Sequence, residues 1–205
     1  PLRELLEPLG LRLIAVDLRG HGRTANPVRS LSLPQLAEDI VALMTHLGLE
    51  RPWLAGYSLG GMVAIELARR GLAGGLVVLA SRIRPARRGR ESFDPANIRA
   101  RSPLWAEQLA EKHVEQAWEE LAVSLGELLT TWPGFDPAEL ARIEIPVLVV
   151  QGDRDQMVSL GQAQDLVAAV PGARLQVVPR AGHPELLYRK DAMGAVYEFV
   201  RDHLP

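Results

Sequence analysis

Short runs of β-forming residues alternate along the chain with segments of helical length, and this alternation constrains the fold more than any other feature. Such an order is typical of β-α-β units, in which the strands pair in parallel and helices cover both faces of the sheet. The sequence therefore predicts an α/β fold with a mainly parallel sheet flanked by helices. The predicted strands are Leu11–Asp17, Pro52–Ala55, Leu76–Ala80, Pro146–Gln151 and Arg174–Val178.

The segments between the strands carry the spacing of surface helices. Apolar residues recur every three or four positions in Leu33–Leu47, which predicts a helix with one buried face. Ser58–Arg70 is a second predicted helix. A third begins at Ser159, with Gln162 as its expected capping-box partner.

Residues 82–142 interrupt the alternation because they contain no convincing strand. An arginine-rich loop is followed there by predicted helices near 103–112 and 114–129. We interpret this stretch as a helical lid. It is inserted between two strands of a core formed by residues 1–81 and 143–205.

Composition limits the classes of function. The chain has 205 residues, of which 47% are hydrophobic, and this is enough for one sizeable core. A formal charge of −2 provides no field that would attract nucleic acid or an anionic membrane, and the apolar runs are too short to span a bilayer. The sequence contains no cysteine, which excludes disulfides, thiolate zinc sites and cysteine nucleophiles. We expect a cytoplasmic protein without nucleic-acid or membrane partners, and the oligomeric state stays open.

The motif Gly-Tyr-Ser-Leu-Gly at positions 56–60 lies between a predicted strand and a predicted helix. This is the context of a nucleophile elbow, in which small residues two positions on either side of the nucleophile let strand and helix approach closely. Ser58 would occupy a strained turn at the helix N-terminus, where the backbone N–H of Leu59 can bind a developing oxyanion. The motif predicts Ser58 as a catalytic nucleophile; a glycine-rich turn without chemistry is the alternative.

A serine hydroxyl needs a histidine base, and the base needs a carboxylate to orient it. Gly-Asp-Arg-Asp at positions 152–155 follows the fourth predicted strand, and His183 follows the fifth. The C-terminal ends of parallel strands share one edge of the sheet, so these groups can meet Ser58 there. Either Asp153 or Asp155 can supply the carboxylate.

These motifs, together with Asp-Leu-Arg-Gly-His-Gly at positions 17–22, occur in the order found in the α/β-hydrolase fold family. The chain resembles this family from about Leu5 to its C-terminus. The resemblance implies a triad of Ser58, Asp155 and His183 that works without a cofactor, while Asp153 shapes the turn. A serine nucleophile distinguishes the chain from the dehalogenase and epoxide-hydrolase branches, which use aspartate.

The other four histidines are interpreted as residues without a catalytic role. The resemblance implies that His21 is a structural hydrogen-bonding residue beside the entrance to the active site. We interpret His46, His113 and His203 as solvated or hydrogen-bonded side chains. Five scattered histidines without ligand spacing give no case for a metal.

The predicted lid provides candidates for contacts with a substrate. We expect Trp105 and Trp118, together with Tyr57 beside the nucleophile, to line an apolar pocket for a small ester. The lid also carries arginines that would suit an acidic substrate or a carrier protein, although a solvated loop explains them as well. These are Arg82, Arg84, Arg87, Arg88, Arg90, Arg99 and Arg101.

The second oxyanion donor of the resembling family comes from a loop after an earlier strand, and the sequence starts at Pro1, after that point. In the resembling fold this earlier strand lies between those that end at Asp17 and Ala55. Its absence would leave backbone groups unpaired. We therefore expect that residues upstream of Pro1 precede the chain or that another molecule supplies the strand.

The sequence thus predicts a serine hydrolase that cleaves small, largely apolar carboxylic esters through an acyl-enzyme. Thioesterase, peptidase, lactonase, perhydrolase and carbon–carbon hydrolase reactions can use the same residues and stay open. The alternative from another class is a ligand-binding or signalling protein with little or no turnover.

Overall fold

The predicted parallel sheet forms. A computed structural model describes residues 2–86 and 90–204, and within them it contains one four-stranded sheet in which every pairing is parallel. The order of the strands in the sheet is their order in the chain. They are β1 (Trp53–Tyr57), β2 (Gly75–Leu79), β3 (Val147–Gly152) and β4 (Arg174–Val178).

Burial explains why these segments pair. The two central strands, β2 and β3, are buried over their whole length, which fits the run of consecutive aliphatic residues in each. The edge strand β4 is only partly buried and begins with the exposed Arg174. The predictions at 52–55, 76–80, 146–151 and 174–178 agree with the observed strands to within two residues.

The prediction of a strand at Leu11–Asp17 is wrong, because this segment is not hydrogen-bonded into the sheet. A strand needs a neighbour for its N–H and C=O groups, and among the described residues β1 pairs with β2 alone. Leu11 and Leu13 pack against the core, but Ile14 and Val16 are 40% and 43% exposed. Only some of the apolar residues of this segment are therefore buried, and none of them pairs with a strand.

Helices occupy most of the chain between the strands. The predicted helices at 33–47, 58–70 and 103–112 form, and the one predicted at 114–129 begins later, at Trp118. No helix in the described part of the chain is both long and apolar enough to cross a bilayer. The α-helices are α1 (Leu2–Leu6), α2 (Leu33–His46), α3 (Leu59–Arg69), α4 (Pro95–Arg101), α5 (Pro103–Lys112), α6 (Trp118–Thr131), α7 (Pro137–Leu140), α8 (Leu160–Ala169) and α9 (Lys190–His203), and 3-10 helices lie at Glu7–Leu9, Arg90–Phe93 and Pro184–Tyr188.

The capping box predicted at the start of α8 does not form. Ser159 precedes the helix, but its side chain makes no capping hydrogen bond. Gln162 Oε1 instead accepts a hydrogen bond from the N–H of Ile83 at 2.9 Å. This glutamine thus binds the segment that follows β2.

Contacts divide the chain into two compact units, which we call the sheet unit and the helical unit. Hydrogen bonds from Arg29 to Glu120, and from Ser124 to the carbonyl of Arg29, join the two segments of the helical unit. The predicted lid overlaps the helical unit over residues 84–134, but α2, which the sequence analysis assigns to the core, groups with the helical unit too. The sheet unit comprises Pro1–Ile14, Leu47–Ile83 and Phe135–Pro205, and the helical unit comprises Ala15–His46 and Arg84–Gly134.

Each unit has its own apolar core. In the sheet unit, aliphatic side chains of β2 and β3 pack with Val196, Phe199 and Val200 of α9. In the helical unit, Ile98 and Trp118 form the centre of a smaller cluster.

Candidate active site

Ser58 lies in a sharp turn between β1 and α3. Its φ of 52° and ψ of −116° are rarely adopted by residues other than glycine. The N–H of Ser58 donates a hydrogen bond to the carbonyl of Leu79 at 2.9 Å, and Ser81 Oγ donates one to the carbonyl of Ser58 at 2.8 Å. The end of β2 therefore holds this strained turn in place.

Two glycines permit the close approach of β1 and α3. A Cβ atom on Gly56 would collide with the carbonyl of Gly60, and one on Gly61 would lie 2.5 Å from Ser81 Cβ. A Cβ atom on Gly60 would meet nothing within 4 Å. The structure thus contradicts the expectation that both flanking positions of the motif must be small, since the tight positions are 56 and 61.

The structure brings the three predicted residues of the triad together. Ser58 Oγ lies 3.1 Å from His183 Nε2, and His183 Nδ1 lies 2.7 Å from Asp155 Oδ2. The side chain of His183 is 9% exposed and that of Asp155 is fully buried. If the hydroxyl donates to Nε2 and Nδ1–H donates to the carboxylate, the imidazole is the tautomer that can accept a proton from serine.

Neighbouring strands place the base and the acid. Asp155 follows β3 and His183 follows β4, and these strands pair in parallel. Gly152, the last residue of β3, has no room for a side chain because the carbonyl of Ala181 lies against it. The two loops can therefore approach each other closely enough for the carboxylate to reach the imidazole.

Asp155 is bound on both carboxylate oxygens. Its Oδ1 accepts hydrogen bonds from the N–H groups of Met157 and Val158, each at 2.8 Å, while Oδ2 faces His183. Burial would raise the pKa of Asp155, but the hydrogen bonds from His183 and from Val158 outweigh it, so the pKa is lowered. The acid therefore stays ionised beside the histidine.

Asp153 occupies a different place. Its Oδ1 accepts a hydrogen bond from the N–H of Arg180 at 2.6 Å, which ties the loop after β3 to the loop after β4. The carboxylate that reaches His183 is that of Asp155.

The other predicted groups of the nucleophile turn lie in the sheet unit as well. Leu59 is the first residue of α3, and the first N–H groups of a helix have no partner within the helix. Tyr57 is half-buried, and its hydroxyl donates a hydrogen bond to the carbonyl of His183 at 3.1 Å. Burial is the main cause that raises the pKa of Tyr57. The phenol is thus a neutral group that donates a hydrogen bond to the loop that carries the base.

The predicted pocket tryptophans belong to the helical unit. Trp118 is 4% exposed in the core of that unit, with the guanidinium of Arg99 5.0 Å from its ring centroid, whereas Trp105 is 42% exposed. Their contact with a substrate stays a prediction.

The arginines predicted to form one site lie in different environments. Arg87 and Arg88 lie outside the described residues. Arg99 forms an ion pair with Glu119, and Arg101 donates hydrogen bonds to the carbonyls of Asn97 and Ser92. Arg82 is buried in the sheet unit.

Other histidines make local contacts. His21 Nδ1 is 3.0 Å from the carbonyl of Arg19, His113 Nδ1 accepts a hydrogen bond from the N–H of Gly22, and the two rings pack edge to face. His203 Nδ1 bonds to the carbonyl of Phe199. His21 therefore makes a structural hydrogen bond, as the resemblance implies.

A sequence profile described as the alpha/beta hydrolase family matches residues 1–198. The chain belongs to the alpha/beta hydrolase family. It is therefore a hydrolase, and the resemblance drawn from its motifs is confirmed.

Individual members of the family are similar over most of their length. The AB hydrolase superfamily protein YisY of Bacillus subtilis is 24% identical over 214 positions, which cover 91% of this chain and 80% of YisY. A non-heme haloperoxidase of Rhodococcus erythropolis is 28% identical over 222 positions, which cover 91% of this chain and 80% of that protein. A malate-bound thermophilic esterase from Thermogutta terrifontis aligns with a TM-score of 0.77 at 25% identity, over 98% of this chain and 83% of the esterase.

Two side chains of this α/β-hydrolase make contacts near the triad that its motifs do not predict. Gln151, the last residue but one of β3, donates to Asp155 Oδ2 at 3.1 Å, and Arg82 donates to the carbonyl of Met157 at 2.8 Å. A polar residue directly after four buried aliphatic residues is the signal that would have indicated Gln151. The described residues contain no cluster of histidine and carboxylate side chains suited to a metal ion.

Proposed function

We propose that this protein is a serine hydrolase that cleaves small, largely apolar carboxylic esters through an acyl-enzyme intermediate. The hydrogen-bonded series from Ser58 Oγ through His183 to Asp155 carries the proposal, because it is the arrangement that turns a serine hydroxyl into a nucleophile. Similarity to an esterase at 25% identity supports the choice of ester substrates.

The proposed reaction has two acyl-transfer steps. His183 Nε2 accepts the proton of Ser58 as Oγ attacks the ester carbonyl, and the oxyanion forms against the N–H of Leu59. The same proton then leaves with the alcohol as the acyl-enzyme forms. Water next gives a proton to His183 and attacks the acyl group, which releases the carboxylic acid and restores Ser58. Asp155 orients the imidazole and stabilises its charged form.

The predicted pocket completes the proposal. Tyr57 lies directly before the nucleophile, and Trp105 and Trp118 of the predicted lid at residues 82–142 remain proposed contacts of the substrate. Such a pocket suits a small apolar acyl or alcohol group. We expect the enzyme to act without a cofactor in the cytoplasm.

Labelling with a fluorophosphonate and hydrolysis of p-nitrophenyl esters of graded chain length test the proposal. Ser58→Ala and His183→Ala should each abolish labelling and lower kcat by up to about 10⁶-fold. Asp155→Asn should lower kcat by roughly 10⁴-fold because the imidazole loses its orienting carboxylate. Asp153→Asn is the matched control and should retain most of the activity, since Asp153 bonds to the backbone instead.

A binding or signalling protein with little turnover is the alternative from another class. Absence of an adduct on Ser58 in the folded wild-type protein would favour it and defeat the proposal.

Hydrogen peroxide is a second candidate nucleophile for the acyl-enzyme, because a non-heme haloperoxidase is 28% identical to this chain. Attack by peroxide would release a peracid in place of the carboxylic acid. Peracid formation in ester-containing peroxide solutions, lost in Ser58→Ala, would identify this reaction.

A further inference from the structure

Two buried polar side chains outside the triad lie beside Asp155. Gln151 is fully buried and Arg82 is 8% exposed. We propose that both are positioning residues, which hold Asp155 in its contact with His183 and offset part of its negative charge. The proposal rests on the roles given to Asp155 and His183 in the proposed function.

The amide of Gln151 is fixed by acceptors. Its Nε2 lies 2.9 Å from the carbonyl of Val158, 3.1 Å from Asp155 Oδ2 and 3.3 Å from the carbonyl of Gly152. Three oxygens around one atom require nitrogen at that place, because an amide oxygen there would be repelled by all of them. Gln151 is therefore a donor to the acid.

Gln151 and His183 share one oxygen of the acid. Asp155 Oδ2 faces His183 Nδ1 at 2.7 Å and also accepts from Gln151. The second donor draws charge away from the oxygen that attracts the imidazolium. It favours the carboxylate form of Asp155, and it weakens the pull of that carboxylate on the proton of His183.

Arg82 acts on the same carboxylate through its charge. Its Nη2 donates to the carbonyl of Met157, whose N–H donates to Asp155 Oδ1. Burial lowers the pKa of Arg82, and the charge of Asp155 opposes this effect. The guanidinium thus binds the loop after β3 and adds positive charge close to the acid.

Packing alone does not account for a glutamine at position 151. The preceding residues of β3 are aliphatic and buried, so a hydrocarbon side chain would suit the same environment. The amide instead leaves Oε1 without a hydrogen-bond partner among the described residues, which is unfavourable in a buried position. The contact with Asp155 explains why an amide is used there.

The pH profile of kcat/KM distinguishes this role from a structural one. The acidic limb reports the pKa below which the base is protonated. Without the Gln151 donor or the Arg82 charge, Asp155 holds the proton on His183 more strongly, so the limb moves to higher pH.

The variants Gln151→Met, Arg82→Met and Arg82→Lys test the proposal in ester hydrolysis. The two methionine variants should shift the acidic limb to higher pH and lower kcat at neutral pH by roughly 10- to 100-fold, the effect of losing a hydrogen bond or charge beside an ionised group. KM should change much less. Arg82→Lys keeps the charge and should retain the wild-type limb.

Gln176→Met is the matched control. Gln176 lies in the neighbouring strand β4, and its Nε2 donates to the carbonyl of the next residue, Val177, as Gln151 does to Gly152. Its amide makes no hydrogen bond to Asp155, so its replacement should leave the acidic limb unchanged.

The proton on His183 Nδ1 provides a second readout by NMR. Its resonance should move in Gln151→Met and Arg82→Met but not in Gln176→Met. If Gln151→Met fails to fold, Gln151→Leu removes the same donor with another apolar side chain and should move the limb and the resonance in the same direction. Folded methionine variants with wild-type limbs and resonances would overturn the proposal, whereas full activity of Ser58→Ala would instead overturn the proposed function.

Discussion

The left-handed backbone of Ser58 determines at which neighbouring positions glycine can be replaced by a residue with a side chain. The turn presses Gly56 against the carbonyl of Gly60, but leaves space beyond the α-carbon of Gly60 itself. The two glycines of the motif therefore differ in their tolerance, although they stand at equal distances from the serine.

Gly56→Ala and Gly60→Ala test this difference. Gly56→Ala should lower the free energy of unfolding by about 1–3 kcal/mol or more, because the added methyl group must push strand and helix apart. Gly60→Ala should leave it unchanged or raise it by up to about 1 kcal/mol, since alanine favours a helix. Urea unfolding of both variants measures the effect. Equal stability of the two would contradict the packing described for the elbow.

At the level of elements, the sequence predicted correctly those strands and site residues whose signal lies in residues close together in the chain. The buried strands β2 and β3 carry enough aliphatic side chains to be recognised alone, and the triad residues stand in short motifs at strand ends. The segment 11–17 has the composition of a strand, but its pairing depends on another segment.

The contact of Arg82 with the loop after β3 was not predicted for a related reason. Arg82 binds the carbonyl of Met157, 75 positions later in the chain, and no local pattern encodes a contact between segments so far apart. The division into a sheet unit and a helical unit depends likewise on contacts between remote segments, such as Arg29 with Glu120.

Helix caps provide a prediction at this scale. Asp136 Oδ1 accepts a hydrogen bond from the N–H of Ala138 at the start of α7, whereas Ser159 makes no such bond at the start of α8. Asp136→Ala should lower the free energy of unfolding by about 1 kcal/mol, the usual effect of losing a cap. Ser159→Ala should have a smaller effect in the same denaturation experiment. The opposite order would show that the side chain of Ser159 caps α8 in solution.

For the whole molecule, the two units should respond to acid in different pH ranges. Burial lowers the pKa of His21 and His113, in the helical unit, from the ordinary 6.5. As the pH falls below that value the unfolded chain takes up protons first, so the folded helical unit loses stability. The pKa of Asp155, in the sheet unit, is lowered from 3.8. Its contribution is therefore retained until the pH falls below about 4.

Hydrogen exchange followed by mass spectrometry measures this separation. Between pH 7 and pH 5, after correction for intrinsic exchange rates, protection should decrease in α2 and α6 before it decreases in β2 and β3. His113→Gln keeps an acceptor for the N–H of Gly22 but does not titrate, and should reduce the loss. Simultaneous loss of protection in both units would contradict the assignment of the two pH ranges.

The strands stand in the sheet in the order in which the ribosome synthesises them. A nascent chain can therefore add β1 to β4 one after another, without reserving a place for a later strand. The turn at Ser58 is held by β1 and β2, whereas Asp155 follows β3 and His183 follows β4. If the sheet assembles in this order during translation, the turn of the nucleophile is in place before the acid and the base can reach it.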